Sequence, residues 1–294
     1  MIIRVDNERI REDKSLLSLI KSIPLLAALP ISKIGIKKLA GLTNQNYLIS
    51  LPNQQFVLKV PCKKLSTPAY TPINYQNETI NQKIAAKLGV SPNIRWQNNS
   101  GVRLIDYLND SRHLKEDEIN TAERLRLIIQ NLKLLHKSKT KFKGELKTQT
   151  IKDLLTHYFN HCSTSNQKTL QKSYENAQYK LVGELGTLND QQKLVPSHID
   201  LAPENILLQG KKLWFIDWEY SAMASPYWDI AMISHYGKLD LKHKQLLLNK
   251  LLRQTQTCNS ENFELKKHQL KQLQDYQFII EAINNCWLGA LANK

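Results

Sequence analysis

Ser197-His198-Ile199-Asp200-Leu201-Ala202-Pro203-Glu204-Asn205-Ile206-Leu207-Leu208, followed by Leu213-Trp214-Phe215-Ile216-Asp217-Trp218-Glu219-Tyr220, is the stretch that decides the fold. The apolar runs Asn205 to Leu208 and Leu213 to Ile216, joined by Gln209-Gly210-Lys211-Lys212, read as a β-hairpin. Such a hairpin fixes the separation between an acid before it, Asp200, and an acid after it, Asp217. Asp200 precedes a proline-containing turn, so its carboxylate is not tied into a helix and is placed to accept a hydrogen bond from an alcohol. Asn205 and Asp217 offer a carbonyl and a carboxylate oxygen, the hard ligands that Mg2+ takes while keeping several waters. A loose phosphoryl-transfer transition state asks for in-line positioning and for cations on the phosphate oxygens rather than for covalent help. The spacing His-x-Asp-x-x-x-x-Asn, with a further Asp closing a strand, points to that chemistry. His-x-Asp alone is ordinary turn composition. The second acidic segment, twelve positions after Asn205, is what a turn does not require.

Continued by Tyr220-Ser221-Ala222-Met223 and Pro226-Tyr227-Trp228-Asp229-Ile230-Ala231, the two segments resemble the choline kinase and aminoglycoside phosphotransferase superfamily, and within it the bacterial choline kinases. Upstream, Gly41-Leu42-Thr43-Asn44-Gln45-Asn46-Tyr47 is similar to the phosphate-facing loop of that family, and Asn77-Glu78 followed by Leu88-Gly89-Val90-Ser91-Pro92 to its next landmark. The resemblance spans most of the chain from about Gly41 to Ala231, and Cys286-Trp287-Leu288 is weakly similar to an aromatic segment that closes the substrate pocket. It implies an α+β, protein-kinase-like two-lobed fold, with a small antiparallel-sheet N-lobe over residues 1–106 and a mainly helical C-lobe over 107–294. It also implies an ATP-dependent reaction with Mg2+. Asp200 would orient the acceptor and take its proton; Asn205, Asp217 and Glu219 would hold the metal.

Three apolar-rich runs, Lys33 to Ala40, Tyr47 to Leu51 and Gln55 to Val60, read as a small antiparallel sheet, with Thr43 to Asn46 as a turn. Lys59 stands inside the third run, where a buried ammonium is costly without a partner. Glu78 is the expected partner, the pair then holding the nucleotide phosphates as in kinases; an edge lysine reaching water is the alternative. No Gly-x-Gly-x-x-Gly is present, so backbone amides and the side chains of Thr43, Asn44 and Asn46 would supply the phosphate contacts that the resemblance implies.

Ile73 to Leu88 is helical in pattern and ends at Gly89; Ile94 to Gln97 and Val102 to Ile105 make two more strands, and the chain crosses to the larger lobe near Asp106-Tyr107-Leu108, where adenine is expected. One helix is expected over Leu16 to Leu29, packed on the small lobe, and others over Leu239 to Leu252 and Phe263 to Leu291. Leu125, Ile128, Ile129, Leu132 and Leu135 share a helical stripe, which places His136 beside the core. His157 and His161 have i, i+4 spacing but no evident third ligand, so a metal site there is disfavoured.

A chain of 294 residues with 41% hydrophobic residues has enough material for two lobes. Its four cysteines have no Cys-x-x-Cys spacing, so neither zinc nor a disulfide framework is indicated, and a reducing cytoplasm suits them. The apolar N-terminal stretch is interrupted by Lys21 and Pro24, a poor signal peptide and too short a membrane span. The net charge of +15 is dispersed along helices with no recognisable nucleic-acid motif, which argues for solvated faces rather than a DNA or RNA partner. The oligomeric state is not legible.

The acceptor pocket is read from Tyr220, Tyr227, Trp228 and Trp287, since aromatic faces hold a quaternary ammonium by cation–π attraction. Choline is favoured among small cationic alcohols, with Tyr220, Trp287 and Asp229 on the substrate side; Asp229 is equally read as a helix cap that supports Asp200. Ethanolamine, thiamine and aminoglycosides are alternative acceptors. A non-catalytic kinase-like module and a basic nucleic-acid-binding protein are the readings from other classes.

Overall fold

Strict alternation of side chains builds the first unit. The computed structural model describes residues 13–39, 44–61, 74–252 and 261–293 and divides into two compact units, Met1–Leu65 with Pro92–Asp110, and Ser66–Ser91 with Ser111–Lys294. In the first, helices α1 (Lys14–Lys21) and α2 (Pro24–Ala27) precede strands β1 (Gly35–Leu39), β2 (Asn44–Ser50), β3 (Gln55–Pro61), β4 (Ile94–Gln97) and β5 (Arg103–Asp106). The sheet has the order β1-β2-β3-β5-β4 and is antiparallel throughout.

Tyr47, Leu58 and Leu104 lie opposite one another on β2, β3 and β5, so they share one face, and they are buried with Ile49, Phe56 and the helix residues Leu16, Ile20 and Leu26. Residues one position away point to the other face, where Asn46, Lys59 and Arg103 form a polar row beside the apolar row Leu48, Val57 and Ile105. The single helix expected over Leu16 to Leu29 is two: Pro24 has no N–H to give and holds Ile23 in extended backbone, so α1 stops at Lys21 and α2 restarts at the proline. Asn44 to Asn46, expected as a turn, instead belong to β2 and pair with Pro61 to Lys59, because the alternation continues through them.

The second unit begins with α3 (Tyr75–Lys87), capped by Asn74, whose Oδ1 accepts from the backbone N–H of Gln76 at 3.1 Å and of Asn77 at 3.0 Å. The buried face of α3 is polar, and Asn81 explains why. Its Nδ2 donates to the carbonyls of Lys143 (3.1 Å) and Ser221 (2.9 Å), and its Oδ1 accepts from Lys143 N (2.7 Å). These bonds tie α3 to the segments flanking the acidic loop, so the boundary expected at residue 106, with this helix in the first lobe, differs from the division the contacts make.

Next come β6 (Arg112–His113), α4 (Glu116–Ile119), α5 (Ala122–His136), α6 (Thr148–His161), α7 (Thr164–Val182), α8 (Glu184–Gln191), β7 (Val195–Ser197), β8 (Ile206–Gln209), β9 (Lys212–Phe215), β10 (Ala222–Ala224), α9 (Tyr227–Tyr236), α10 (Leu241–Leu251) and α11 (Glu261–Leu291). The expected stripe of α5, Leu125 to Leu135, is buried against Ile151 and Leu155 of α6, the α9 helix and Tyr276, Ile279 and Ile280 of α11 in one core. Each such Leu or Ile contributes about 1.5–3 kcal/mol by leaving water. Tyr227 and Trp228, weighed for the acceptor pocket but each more readily read as a core residue, are core residues: both rings pack on Tyr276 at 5.5 Å.

Asn81→Leu keeps the branching of the side chain, with some added bulk, but strands the Lys143 N–H and the Ser221 carbonyl. It should lower unfolding stability by about 2–4 kcal/mol, read as an earlier urea midpoint at unchanged slope; an unmoved midpoint would show that the hub carries no stability.

Candidate active site

The hairpin read from the sequence is the frame of the site. Ile206 faces Phe215 and Gln209 faces Lys212, leaving Gly210 and Lys211 as a two-residue turn in which Gly210 takes φ +56°, the conformation such turns ask of their first residue. The ladder runs one step further, Ile216 N donating to Asn205 O at 3.0 Å, and so brings the start of β8 beside the end of β9. Before β8, Pro203 to Asn205 make a 3-10 turn. Asn205 reaches back across it: Nδ2 donates to the Asp200 carboxylate at 2.9 Å and to the Asp200 carbonyl at 3.0 Å, which leaves Oδ1 for another ligand.

Charge accumulates at this point. Burial, then the negative charges of Asp217 and Glu204, push the Asp200 carboxyl up to about 7, against a smaller opposing effect of the Asn205 hydrogen bond. Two residues beside the cluster hold left-handed backbone, Ile199 at φ +75° and Asp217 at φ +63°. For a β-branched residue that conformation is strained, and it persists only where surroundings over-determine it.

Those surroundings centre on Asp229 in the first turn of α9. It is fully buried and does not cap the helix; its Oδ1 accepts from Ile199 N (2.8 Å), and its Oδ2 from His198 N (3.2 Å) and His136 Nε2 (2.8 Å). The His198 ring packs against Trp218 at 4.4 Å with the ring planes tilted by 54°, and donates through Nε2 to Ile216 O (2.9 Å), joining the two acidic segments from beneath. His136 is therefore beside the core as its stripe requires, with a bond to Asp229 that periodicity alone does not reveal.

The donor set suits Mg2+. Asn205, Asp217 and Glu219 carry hard oxygens, and the raised Asp200 titration, due first to burial and then to the charges of Asp217 and Glu204, reports negative charge at this point. Among the described residues no three His, Cys, Asp or Glu form a metal cage. His157 and His161 lie with rings 4.5 Å apart and gain no third ligand; His161 Nδ1 donates to His157 O at 2.7 Å.

A family model described as choline/ethanolamine kinase matches residues 36–276. The chain belongs to that family. It is a kinase, a phosphotransferase that acts on the hydroxyl of a small alcohol. Protein LicA of Haemophilus influenzae is 30% identical over 245 residues, covering 83% of this chain and 69% of the relative. The solved choline kinase LicA of Streptococcus pneumoniae has the same fold at TM-score 0.64 and 20% identity, over 96% of this chain and 99% of that one. A structure of LicA in complex with AMP matches at TM-score 0.62 and 20% identity, over 98% and 99%.

Two tyrosines near the acidic loop were missed by the sequence reading. Tyr158 of α6 is buried and hydrogen-bonds with Tyr220; burial first, then the charges of Glu219 and Asp200, push its phenol well up. Tyr236, the last residue of α9, is pushed up to about 12 by burial and by Asp200 and Glu204, and accepts from Asn284 Nδ2 at 3.4 Å. No local signal marks Tyr158, since it reaches the site through the packing of α6; Tyr236 stands seven residues after Asp229, on the same helix. Trp287 is half-buried on α11, packed against the main core. In the first unit Lys59 and Asn44 are buried and Asn46 lies opposite Lys59 on β2; Glu78 is buried on α3 of the second. Thr43 lies outside the described residues.

Asp229→Ala removes the acceptor for two backbone N–H groups of the loop. The kinase variant should lose about a hundredfold or more in kcat while the KM for nucleotide stays within about threefold, as steady-state rates would show. Loss of folded protein also lowers apparent kcat at fixed KM, so circular dichroism should be unchanged; a fall in folded fraction that matches the lost rate would remove Asp229 from this role.

Proposed function

We propose that this chain transfers the γ-phosphoryl group of ATP to the hydroxyl of choline, giving phosphocholine and ADP. The observation that carries the reading is the grouping of Tyr158, Tyr220 and Tyr236 with Asp200, Glu204 and Glu219 in a protein whose formal net charge is +15. Carboxylates and aromatic faces gathered at one place in so basic a protein favour a cationic acceptor, and aromatic faces favour one whose cation is alkylated and cannot donate hydrogen bonds. The names of the similar LicA proteins support the same acceptor, and the AMP complex of one supports an adenine nucleotide.

Asp200 accepts a hydrogen bond from the choline hydroxyl and aims its oxygen at the γ-phosphorus. As the new P–O bond forms and the bond to the β-phosphate oxygen breaks, the hydroxyl proton passes to Asp200, whose displacement to about 7 makes it a competent base near neutrality. Asn205 holds the Asp200 carboxylate in place through Nδ2. Mg2+ at Asn205 and Asp217, with Glu219 direct or through water, would neutralise phosphate oxygens when bound. Lys59 and Arg103, adjacent on β3 and β5, contribute positive charge for the phosphates, and the neighbouring Leu48, Val57 and Ile105 supply an apolar surface suited to a purine. The roles of Asn44, Asn46 and Thr43 in phosphate contact, and of Trp287 against the acceptor, belong to the same proposal.

ADP release measured with ATP and Mg2+ against choline, ethanolamine, thiamine and kanamycin in parallel should show the highest kcat/KM for choline. A preference for any of the others rejects the acceptor. Asp200→Asn and Asp217→Ala should each lower kcat by about a thousandfold or more with the fold retained. The pH profile of kcat/KM should fall on the acid side near 7, where Asp200 gains its proton. Glu204→Gln removes a negative neighbour, eases that ionisation, and so should move the acid limb to lower pH while raising the KM for choline; an unmoved limb would remove Glu204 from the site.

A further inference from the structure

One concavity of the second unit is unrelated to the acidic loop. It is a groove of about 780 Å3 between α5 and α10, with Ile129, Leu134 and Leu246 among its lining residues. Leu134 and Leu246 are 44% and 38% exposed, more than large apolar side chains of a packed helix pair normally are. Arg126 and Lys133 line one wall and Lys242 and Lys250 the other, with no carboxylate among the lining residues. The nearest acids are engaged elsewhere: Asp240 caps α10 through His243 N at 2.8 Å and meets the His243 ring at 3.0 Å, while Glu123 pairs with Arg124 at 3.1 Å.

We propose that this groove is a docking site for an acidic amphipathic helix of a partner protein. Its α5 wall runs from Ala122 to Leu134, about 18 Å at 1.5 Å per residue, the length of some three helical turns. An apolar seam between two helices accepts a third helix by its i, i+3, i+4 and i+7 side chains. The placement of charge selects among occupants. A fatty acid carries one head group and needs cations at one end, and a bilayer is too flat to enter a concave seam. Here cations stand on both walls and near both ends, which matches a helix whose apolar stripe is bordered by carboxylates on each side. A second copy of this chain is opposed by its own net charge of +15.

The test titrates the full chain, at about 0.15 M salt to screen indiscriminate attraction, with a labelled synthetic peptide of about 14 residues, long enough to span the groove as a helix, carrying leucine at the seam positions and glutamate beside them. Saturable binding is expected, weakened about tenfold or more by Lys133→Glu with Lys250→Glu and by Leu246→Ser, with circular dichroism unchanged. Lys168→Glu with Lys172→Glu, on exposed positions of α7, alters net charge equally and should leave binding as it was. Equal weakening by that control pair, absence of saturable binding, or displacement of the peptide by oleate or anionic vesicles would overturn the proposal. Self-association of the chain that Lys133→Glu with Lys250→Glu abolishes would also overturn it.

Discussion

A carboxylate with no access to water sets the geometry on which the active site depends. Asp229 accepts from the backbone of His198 and Ile199 and from the His136 ring, all three inside the protein. Hydrogen bonds to an ionised group count for about 1.5–3 kcal/mol each, enough to hold Ile199 in a backbone conformation that costs about 1–3 kcal/mol. The strain is the means by which the next residue, Asp200, is turned away from the strand direction of β7 and toward Asn205. Fold and chemistry meet in one side chain that never touches the reaction.

The arrangement separates two kinds of work. Rigid parts supply position: the β8–β9 hairpin sets the spacing of Asn205 and Asp217, and the Trp218 ring, with Nε1 donating to Ser91 Oγ at 3.0 Å, closes the space beneath them. Charged parts supply the driving force, and they are arranged against the general character of the protein. Lysines dominate the exposed helix faces, whereas Asp200, Glu204, Asp217 and Glu219 fall within twenty residues of each other. Under the proposed function, a local negative field inside a positive one is what would discriminate a cationic acceptor from anionic metabolites.

How much of this a reader of the sequence gains depends on whether the signal is local. The hairpin was legible because two short apolar runs and a Gly-containing turn are short-range facts, and so was the stripe of α5. The break at Pro24 was equally local but was outweighed by the apolar run around it. Tyr227 and Trp228 sit beside Asp229 in the chain, yet on a helix neighbours in sequence face different directions, and both pack on Tyr276 in the core, the commoner place for such rings. Tyr158 was illegible for the converse reason: it lies over forty residues from the acidic loop, and only the packing of α6 brings it there.

The displaced ionisation of Asp200 has a thermodynamic side. Its folded value of about 7 stands above the ordinary 3.8, so the native state holds that proton more tightly than the unfolded chain does. Native stability is therefore lowered as pH rises from about 4 to about 7, and the resting protein near neutrality carries electrostatic frustration. Positive charge held against the loop would relieve it, so any cation bound there would raise the protein's resistance to heat by the amount of its preference for the folded state.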